Sequence, residues 1–134
     1  MRQLFTRLFA LILVAVIGLS GCGDAGISGQ ITGDYRQDTL AIIENLRTTI
    51  SLPQDAPERA AAQANAREVI SDFTSRYRRD GAVSGLSSYT TVSTALNAIA
   101  GHYSSYPNRP FPEKLQQRLE QEFKQVEAAL KRGA

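Results

Sequence analysis

Apolar residues recur at alternating intervals of three and four through the segment 89–103. Tyr89, Val92, Leu96, Ile99 and Tyr103 therefore fall on one stripe of an α-helix. A stripe of this spacing offers a continuous apolar seam to neighbouring helices, as in helical bundles. The segment predicts an amphipathic helix and favours a fold built by helix packing.

Three further segments show the same helical period, and no convincing strand pattern follows residue 33. Their predicted inward-facing residues are Leu40, Ile42, Ile43, Leu46 and Ile50, then Ala62, Ala66, Val69, Ile70, Phe73 and Tyr77, and finally Leu115, Leu119, Phe123, Val126 and Leu130. The segments are separated by Leu52-Pro53, by glycines within 80–85 and by three prolines within 104–112, where no helix is expected. Residues 34–134 are therefore predicted to form an all-α, up-down-up-down antiparallel four-helix bundle.

Several local signals mark the ends and outer faces of these helices. Asp34 is a predicted N-cap of the first helix, and Asp55 and Glu58 have the spacing of a capping box for the second, with Pro57 in its first turn. Pro112 is expected to begin the last helix. Its outer face offers Glu120 with Lys124 and Glu127 with Lys131 as i,i+4 pairs of about 0.2–0.5 kcal/mol each, which indicates a solvated face.

The amino-terminal region has the pattern of a bacterial lipoprotein precursor. Arg2 and Arg7 precede an uncharged apolar run, residues 8–19, which is shorter than the ~20 residues of a membrane span. Leu19-Ser20-Gly21-Cys22 then forms a lipobox, and Cys22 is the only cysteine. We predict a cleaved signal peptide at 1–21, acylation of Cys22 with chains such as palmitate, and a glycine-rich flexible tether at 22–33.

Charge and composition argue against several classes of function. Fifteen Lys and Arg oppose thirteen Asp and Glu, and removal of the signal peptide makes the mature chain neutral, so no nucleic-acid partner is indicated. His102 is the only histidine, the Glu-x-x-His spacing of di-iron bundles is missing, and no cofactor or metal is expected. Ser104 and Ser105 near His102 lie where a helix runs into a loop, which does not favour a catalytic triad. The sequence predicts a binding protein rather than an enzyme.

Charged residues after the second helix are candidates for partner binding. Arg78 and Arg79 have no acid three or four residues before them, unlike Arg76, which has Asp72. Unpaired arginines are candidate interface anchors. The alternative is that they complement the helix macrodipole, for about 0.3–1 kcal/mol. Asp80 is either a turn residue or a further contact.

The region after the third helix supplies a second candidate. His102 lies at the edge of the apolar seam, which favours a half-covered structural histidine over a partner contact. The segment 105–111 carries two aromatic residues and Arg109 on a proline-stiffened frame, a composition typical of recognition surfaces. The same loop could serve only to cover the end of the bundle.

Five short motifs in order resemble one protein family, and the resemblance runs from the lipobox to the C-terminus. They are Gly33-Asp34-Tyr35-Arg36-Gln37-Asp38-Thr39-Leu40, Ser75-Arg76-Tyr77-Arg78-Arg79-Asp80, Ser88-Tyr89-Thr90-Thr91, Ala95-Leu96-Asn97-Ala98-Ile99-Ala100-Gly101-His102-Tyr103 and Arg109-Pro110-x-Pro112-x-Lys114. The family is that of the lumenal eleven-kilodalton photosystem II proteins, the assembly and repair lipoproteins of cyanobacteria and chloroplasts.

This resemblance implies a four-helix bundle without enzymatic activity. It implies a monomer, lipid-anchored on the lumenal side of the thylakoid membrane. The implied partner is immature photosystem II, chiefly the lumenal loop of its forty-three-kilodalton inner antenna. There the protein would assist assembly of the manganese cluster before the extrinsic subunits bind. Two other hypotheses stay open from the residues alone: a general exported helical lipoprotein with an envelope structural or stress role, and a small enzyme or metal carrier.

We expect Cys22→Ser to give a folded protein that is either unanchored or still carries its uncleaved signal peptide, because the acyl chains attach through the cysteine sulfur and the bundle begins after the tether. Fractionation of membranes from cells that express each form measures this. Wild-type protein that washes off as readily as the variant would contradict the lipobox interpretation.

Overall fold

A computed structural model describes residues 31–134 apart from residue 108. It contains four helices, α1 (Tyr35–Ile50), α2 (Arg59–Tyr77), α3 (Ser87–Ser105) and α4 (Glu113–Lys131). α1 packs against α2 and α4, and α3 packs against the same two helices, so the four form an antiparallel ring. The predicted all-α four-helix fold is confirmed. The predicted signal peptide, Cys22 and the tether up to residue 30 lie outside the described residues.

Each helix contributes large apolar side chains to one shared core. Leu46, Phe73, Leu96 and Phe123, one from each helix, are essentially inaccessible to solvent. The predicted seam of α3 is confirmed from Val92 to Tyr103, whereas Tyr89 is only half-buried and its neighbour Ser88 is buried instead. Within residues 31–134, no helix is both long and apolar enough to cross a membrane.

The inward face of α1 differs from the predicted stripe at its first turn. Leu40 is 40% exposed, while Asp38 and Thr39 are buried. Two polar side chains can turn inward here because each has a hydrogen-bond partner. The Thr39 hydroxyl donates to the Tyr35 carbonyl at 2.6 Å, and Asp38 accepts several hydrogen bonds described below. The placement of Leu40 in the core was wrong for this reason.

One of the two predicted N-terminal helix caps is confirmed, and the other is not. The Asp34 carboxylate accepts a hydrogen bond from the Gln37 amide at 3.0 Å, which confirms it as the N-cap of α1. The predicted capping box of α2 does not form, because α2 begins at Arg59 and Glu58 makes no side-chain capping bond. Asp55 instead lies within a turn that the Ala56 amide closes onto the Pro53 carbonyl at 3.1 Å.

Two acidic side chains of α4 pair with α1, whereas Glu122 pairs with Arg118 along α4 itself at 3.0 Å. Arg47 of α1 donates to Glu120 at 2.9 Å and also to Glu127, two turns further along α4. The expected pairs Glu120/Lys124 and Glu127/Lys131 were therefore wrong. A guanidinium that reaches two carboxylates of another helix ties α1 to α4, whereas a lysine of α4 could only have strengthened α4 itself.

We expect Leu96→Ala to lower the free energy of unfolding by about 2–5 kcal/mol, because it leaves a cavity in the centre of the core. Lys124→Ala is the matched control, since Lys124 is exposed on the same bundle and should cost little. Denaturant unfolding of both variants measures this. Equal midpoints would contradict the register assigned to α3.

Candidate partner-binding surfaces

The antiparallel connectivity sorts the candidate residues into two separate groups. Residues 31–38, 76–88 and 131–134 form one end of the bundle, here the proximal end, and residues 49–59 and 102–113 form the distal end. Arg78 to Asp80 are proximal, whereas His102 and Arg109 are distal. The separation along α3 from residue 87 to residue 102 is about 22 Å at 1.5 Å per residue. The five residues therefore do not make one compact site.

A buried carboxylate organises the proximal end. Asp38 is 1% exposed and accepts four hydrogen bonds, one of them from the Tyr77 hydroxyl of α2. The others come from the Thr32 amide at 2.8 Å, the Thr32 hydroxyl at 2.7 Å and the Gly33 amide at 3.0 Å. Gly33 has φ of 93°, a conformation that an L side chain rarely adopts. Asp38 thus joins the incoming chain, α1 and α2 at one point.

These hydrogen bonds set the protonation of both partners. Burial by itself raises the pKa of Asp38, but the hydrogen bonds from Tyr77, Thr32 and Gly33 outweigh it, and the net pKa lies below the ordinary value. Burial, and then the hydrogen bond to Asp38, raise the pKa of the Tyr77 phenol. The pair is therefore held as an ionised carboxylate that accepts from a neutral phenol.

Further contacts tie α3 and the C-terminal residues to the same end. The Tyr35 and Ser88 hydroxyls lie 2.8 Å apart, and the Tyr35 ring meets the edge of the Tyr77 ring with centroids 5.3 Å apart. The Ser88 amide donates to the Ala134 carbonyl at 3.1 Å. Segments next to all four helices therefore contact one another at the proximal end, and these contacts hold the backbone of its surface residues in place.

Arg78 and Arg79 are exposed in the turn after α2, and neither side chain has a hydrogen-bond or ionic partner in the described part of the chain. The Asp80 carboxylate accepts from the Ala82 amide at 3.0 Å, so it acts as a turn residue. Arg76 lies over the Tyr77 ring at 5.5 Å rather than against Asp72. The turn thus presents two free guanidinium groups on a fixed backbone.

His102 has a structural role at the distal end. Its half-buried ring lies 4.1 Å from the Phe111 ring centroid, and its Nε2 is 3.4 Å from the Arg109 carbonyl. Phe111 is buried, so the loop after α3 is fastened back onto the bundle. α3 itself continues to Ser105, two residues into the segment expected to be non-helical.

The outer part of the same loop carries exposed groups. The Arg109 guanidinium lies 5.5 Å from the Tyr106 ring centroid, and Tyr106 is 48% exposed. Beneath them, burial raises the pKa of Tyr103 to about 12, so this phenol stays neutral. The distal end therefore offers an arginine and a tyrosine on a rigid frame, a pair of residue types enriched among interface hot spots.

Possible metal ligands and cavities are the features that would reveal a metal or small-molecule site in the described residues. No group of three or more His, Cys, Asp or Glu lies close enough to hold a metal ion among them. A distal cavity lined in part by Ile50, Tyr103 and Phe111 has a volume of about 10 Å³. That is room for one water molecule. Two surface grooves are larger, with volumes of about 440 Å³ beside Arg47 and about 730 Å³ beside Asn45.

Comparison with known proteins relates the whole chain to one family. The profile of the family described as Photosystem II Pbs27 matches residues 8–130. The chain is 52% identical over 134 residues to Photosystem II assembly factor lipoprotein Psb27 of Thermosynechococcus vestitus, covering 100% of this chain and 98% of the relative. It is 33% identical to Photosystem II repair protein PSB27-H1, chloroplastic, of Arabidopsis thaliana, with coverages of 99% and 77%.

A solved structure supports the same relationship. The solution structure of Psb27 from cyanobacterial photosystem II superposes with a TM-score of 0.72 at 55% sequence identity. The match covers 77% of this chain and 90% of that one. Fold and sequence thus agree on the same set of relatives.

We expect Asp38→Asn to lower the free energy of unfolding at neutral pH by about 1.5–3 kcal/mol, because a buried charged acceptor is lost. The folded pKa lies below the unfolded value of about 3.9, so ionised Asp38 stabilises the fold above about pH 4. This contribution disappears as the pH falls through the folded pKa. The variant should therefore lose less stability on acidification than the wild type.

Asp34→Asn is the matched control, since Asp34 is exposed and asparagine is an equally good N-cap. Urea unfolding between neutral pH and pH 2 measures both variants. An acid dependence of Asp38→Asn equal to that of the wild type would rule out the buried carboxylate as its source.

Proposed function

Because the chain belongs to the family described as Photosystem II Pbs27, we propose that it acts on photosystem II through a direct protein contact on the lumenal side of the membrane. It is a photosystem II assembly and repair factor, a lipoprotein, and not an enzyme. This membership favours it over a general envelope lipoprotein or a metal carrier. Its role is then to bind an incomplete complex and to leave the finished one.

The proposed partner is the large lumenal loop of the forty-three-kilodalton inner antenna in immature photosystem II. Binding there keeps the lumenal surface accessible while the manganese cluster is assembled, before the extrinsic subunits bind. The resemblance in the motifs of α1, α2 and α3 supports this partner. The firmly braced bundle also supports it, since a rigid binder loses little conformational entropy on association.

The proposed anchor is an acylated Cys22 in the thylakoid membrane. Residues 22–30 would link this lipid to Ile31, where the described chain joins the bundle. Acyl chains at Cys22 would keep the protein close to its membrane partner, and the short linker raises its effective concentration there. This arrangement suits a factor that must meet each new complex as it forms.

One observation carries the partner contact: Arg78 and Arg79 are exposed without side-chain partners on a turn that Asp80 and Tyr77 hold in place. Cations after a helix C-terminus can also favour the helix dipole. Two neighbouring guanidinium groups can in addition bind carboxylates bidentately, so we propose that they meet carboxylates on the lumenal loop. His102 and Arg109 at the distal end form the second proposed contact region.

We expect the double variant Arg78→Ala/Arg79→Ala to remain folded and to bind immature photosystem II more than tenfold less tightly. Truncation of one partner of a buried charge pair costs about 2–5 kcal/mol, whereas the loss of a dipole-complementing charge costs at most about 1 kcal/mol. Binding of the purified protein to detergent-solubilised complexes that lack extrinsic subunits, measured across salt concentrations, provides the test. The variant should also show a weaker salt dependence.

Lys114→Ala/Lys124→Ala is the matched control, because it removes the same net charge from exposed positions on α4. Circular dichroism checks that both variants are helical. Wild-type affinity of a well-folded Arg78→Ala/Arg79→Ala variant would exclude the proximal turn from the interface. Arg109→Ala, with Tyr106→Ala, would then test the distal contact region.

A further inference from the structure

The exposed charges are distributed unevenly between the two ends of the bundle. At the proximal end, five exposed cations have no side-chain hydrogen bond, ion pair or aromatic-ring contact with the described residues. They are Arg36, Arg78, Arg79, Lys131 and Arg132. The accessible acids there are Asp34 and Asp80, and both are engaged by main-chain amides. At the distal end the acids Asp55, Glu58 and Glu113 balance the cations Arg59, Arg109 and Lys114. A nearly neutral bundle thus has one basic end.

Helix stability does not account for all of this basic surface. Lys131 and Arg132 lie at the C-terminus of α4, where cations favour the helix dipole. Arg36 lies in the first turn of α1, where the dipole disfavours a cation. A cation such as Arg36, which the helix dipole disfavours and which no acidic side chain pairs with, is expected at a functional position.

The same end receives the chain that leads to the proposed lipid anchor. Thr32 and Gly33 are hydrogen-bonded to Asp38, so the chain enters the bundle beside Arg76 and Arg36. Residues 22–30 span at most about 30 Å when extended and about 17 Å on average as a flexible coil. α3 alone is about 28 Å long. The tether therefore permits the proximal end to rest at the membrane surface.

From these observations we propose that the α1 and α4 side of the proximal end docks on anionic lipid headgroups of the bilayer. Arg36 lies on α1 and Arg132 directly follows α4, and because these two helices pack together we assign both residues to this lipid-docking face. Arg78 and Arg79, which follow α2, are not part of this face and are left free to contact photosystem II as proposed above. The inference rests on the proposed lipid anchor, because an acyl chain combined with basic residues gives much stronger membrane binding than either alone.

Vesicle binding of a chain without lipid tests this docking face directly. The chain from residue 22 onward, with Cys22→Ser, is sedimented with vesicles of phosphatidylcholine alone or of phosphatidylcholine with one third phosphatidylglycerol. We expect binding only to the anionic vesicles, and weaker binding as salt is raised. Each cation near an anionic surface contributes about fivefold in binding, so Arg36→Gln/Arg132→Gln should bind about 25-fold more weakly.

The control Lys114→Gln/Lys124→Gln has the same net charge and should bind anionic vesicles like the parent. Equal binding by the two double variants, or no preference of the parent for anionic vesicles, would overturn the proposal. So would an Arg36→Gln/Arg132→Gln variant that binds vesicles normally but solubilised photosystem II poorly, since this face would then be a protein interface. The vesicles contain no protein, so failure here leaves the contact of Arg78 and Arg79 with photosystem II intact.

Discussion

The buried carboxylate of Asp38 is the interaction on which the proximal half of the bundle depends. A charged group out of contact with water is tolerated only when it is hydrogen-bonded, and here four donors from two segments of the chain converge on it. Their convergence fixes where residues 32 and 33 join α1 and where α2 ends. The arginine turn that follows Tyr77 is positioned as a consequence. The exposure of Leu40 is another result, because Asp38 and Thr39 occupy the inward positions.

The ion pairs between α1 and α4 also determine which charged side chains remain unpaired on the surface. Arg47 takes both Glu120 and Glu127, so neither carboxylate is left to neutralise the lysines of α4. Lys131 therefore adds to the positive surface beside Arg132. The basic proximal end is thus partly a product of how α1 packs on α4, although residues 31–134 carry nearly equal numbers of basic and acidic side chains, thirteen and twelve.

The two ends of the molecule are suited to different partners. The proximal end combines basic side chains with the connection to the proposed lipid anchor, which suits a position at the boundary between membrane and protein. The distal end is electrically balanced and presents Tyr106 and Arg109 on a loop that His102 and Phe111 fasten to the bundle. The two proposed contact regions are therefore kept apart at opposite ends of the bundle.

The sequence by itself determined the helical class, the number of helices and most of the core. An amphipathic period depends only on the order of residues along one helix, so Val92, Leu96 and Ile99 could be placed without knowledge of their neighbours. The N-cap at Asp34 is equally local.

Only the tertiary structure decided the partners of polar groups. Asp38 and Tyr77 are 39 residues apart, and Arg47 and Glu120 are 73 apart. Local spacing favoured a pair of Glu120 with Lys124. Spacing within one helix cannot show that Arg47 of another helix lies closer to Glu120. The separation of Arg78 from Arg109 was decided in the same way, since it follows from the antiparallel packing and the length of α3.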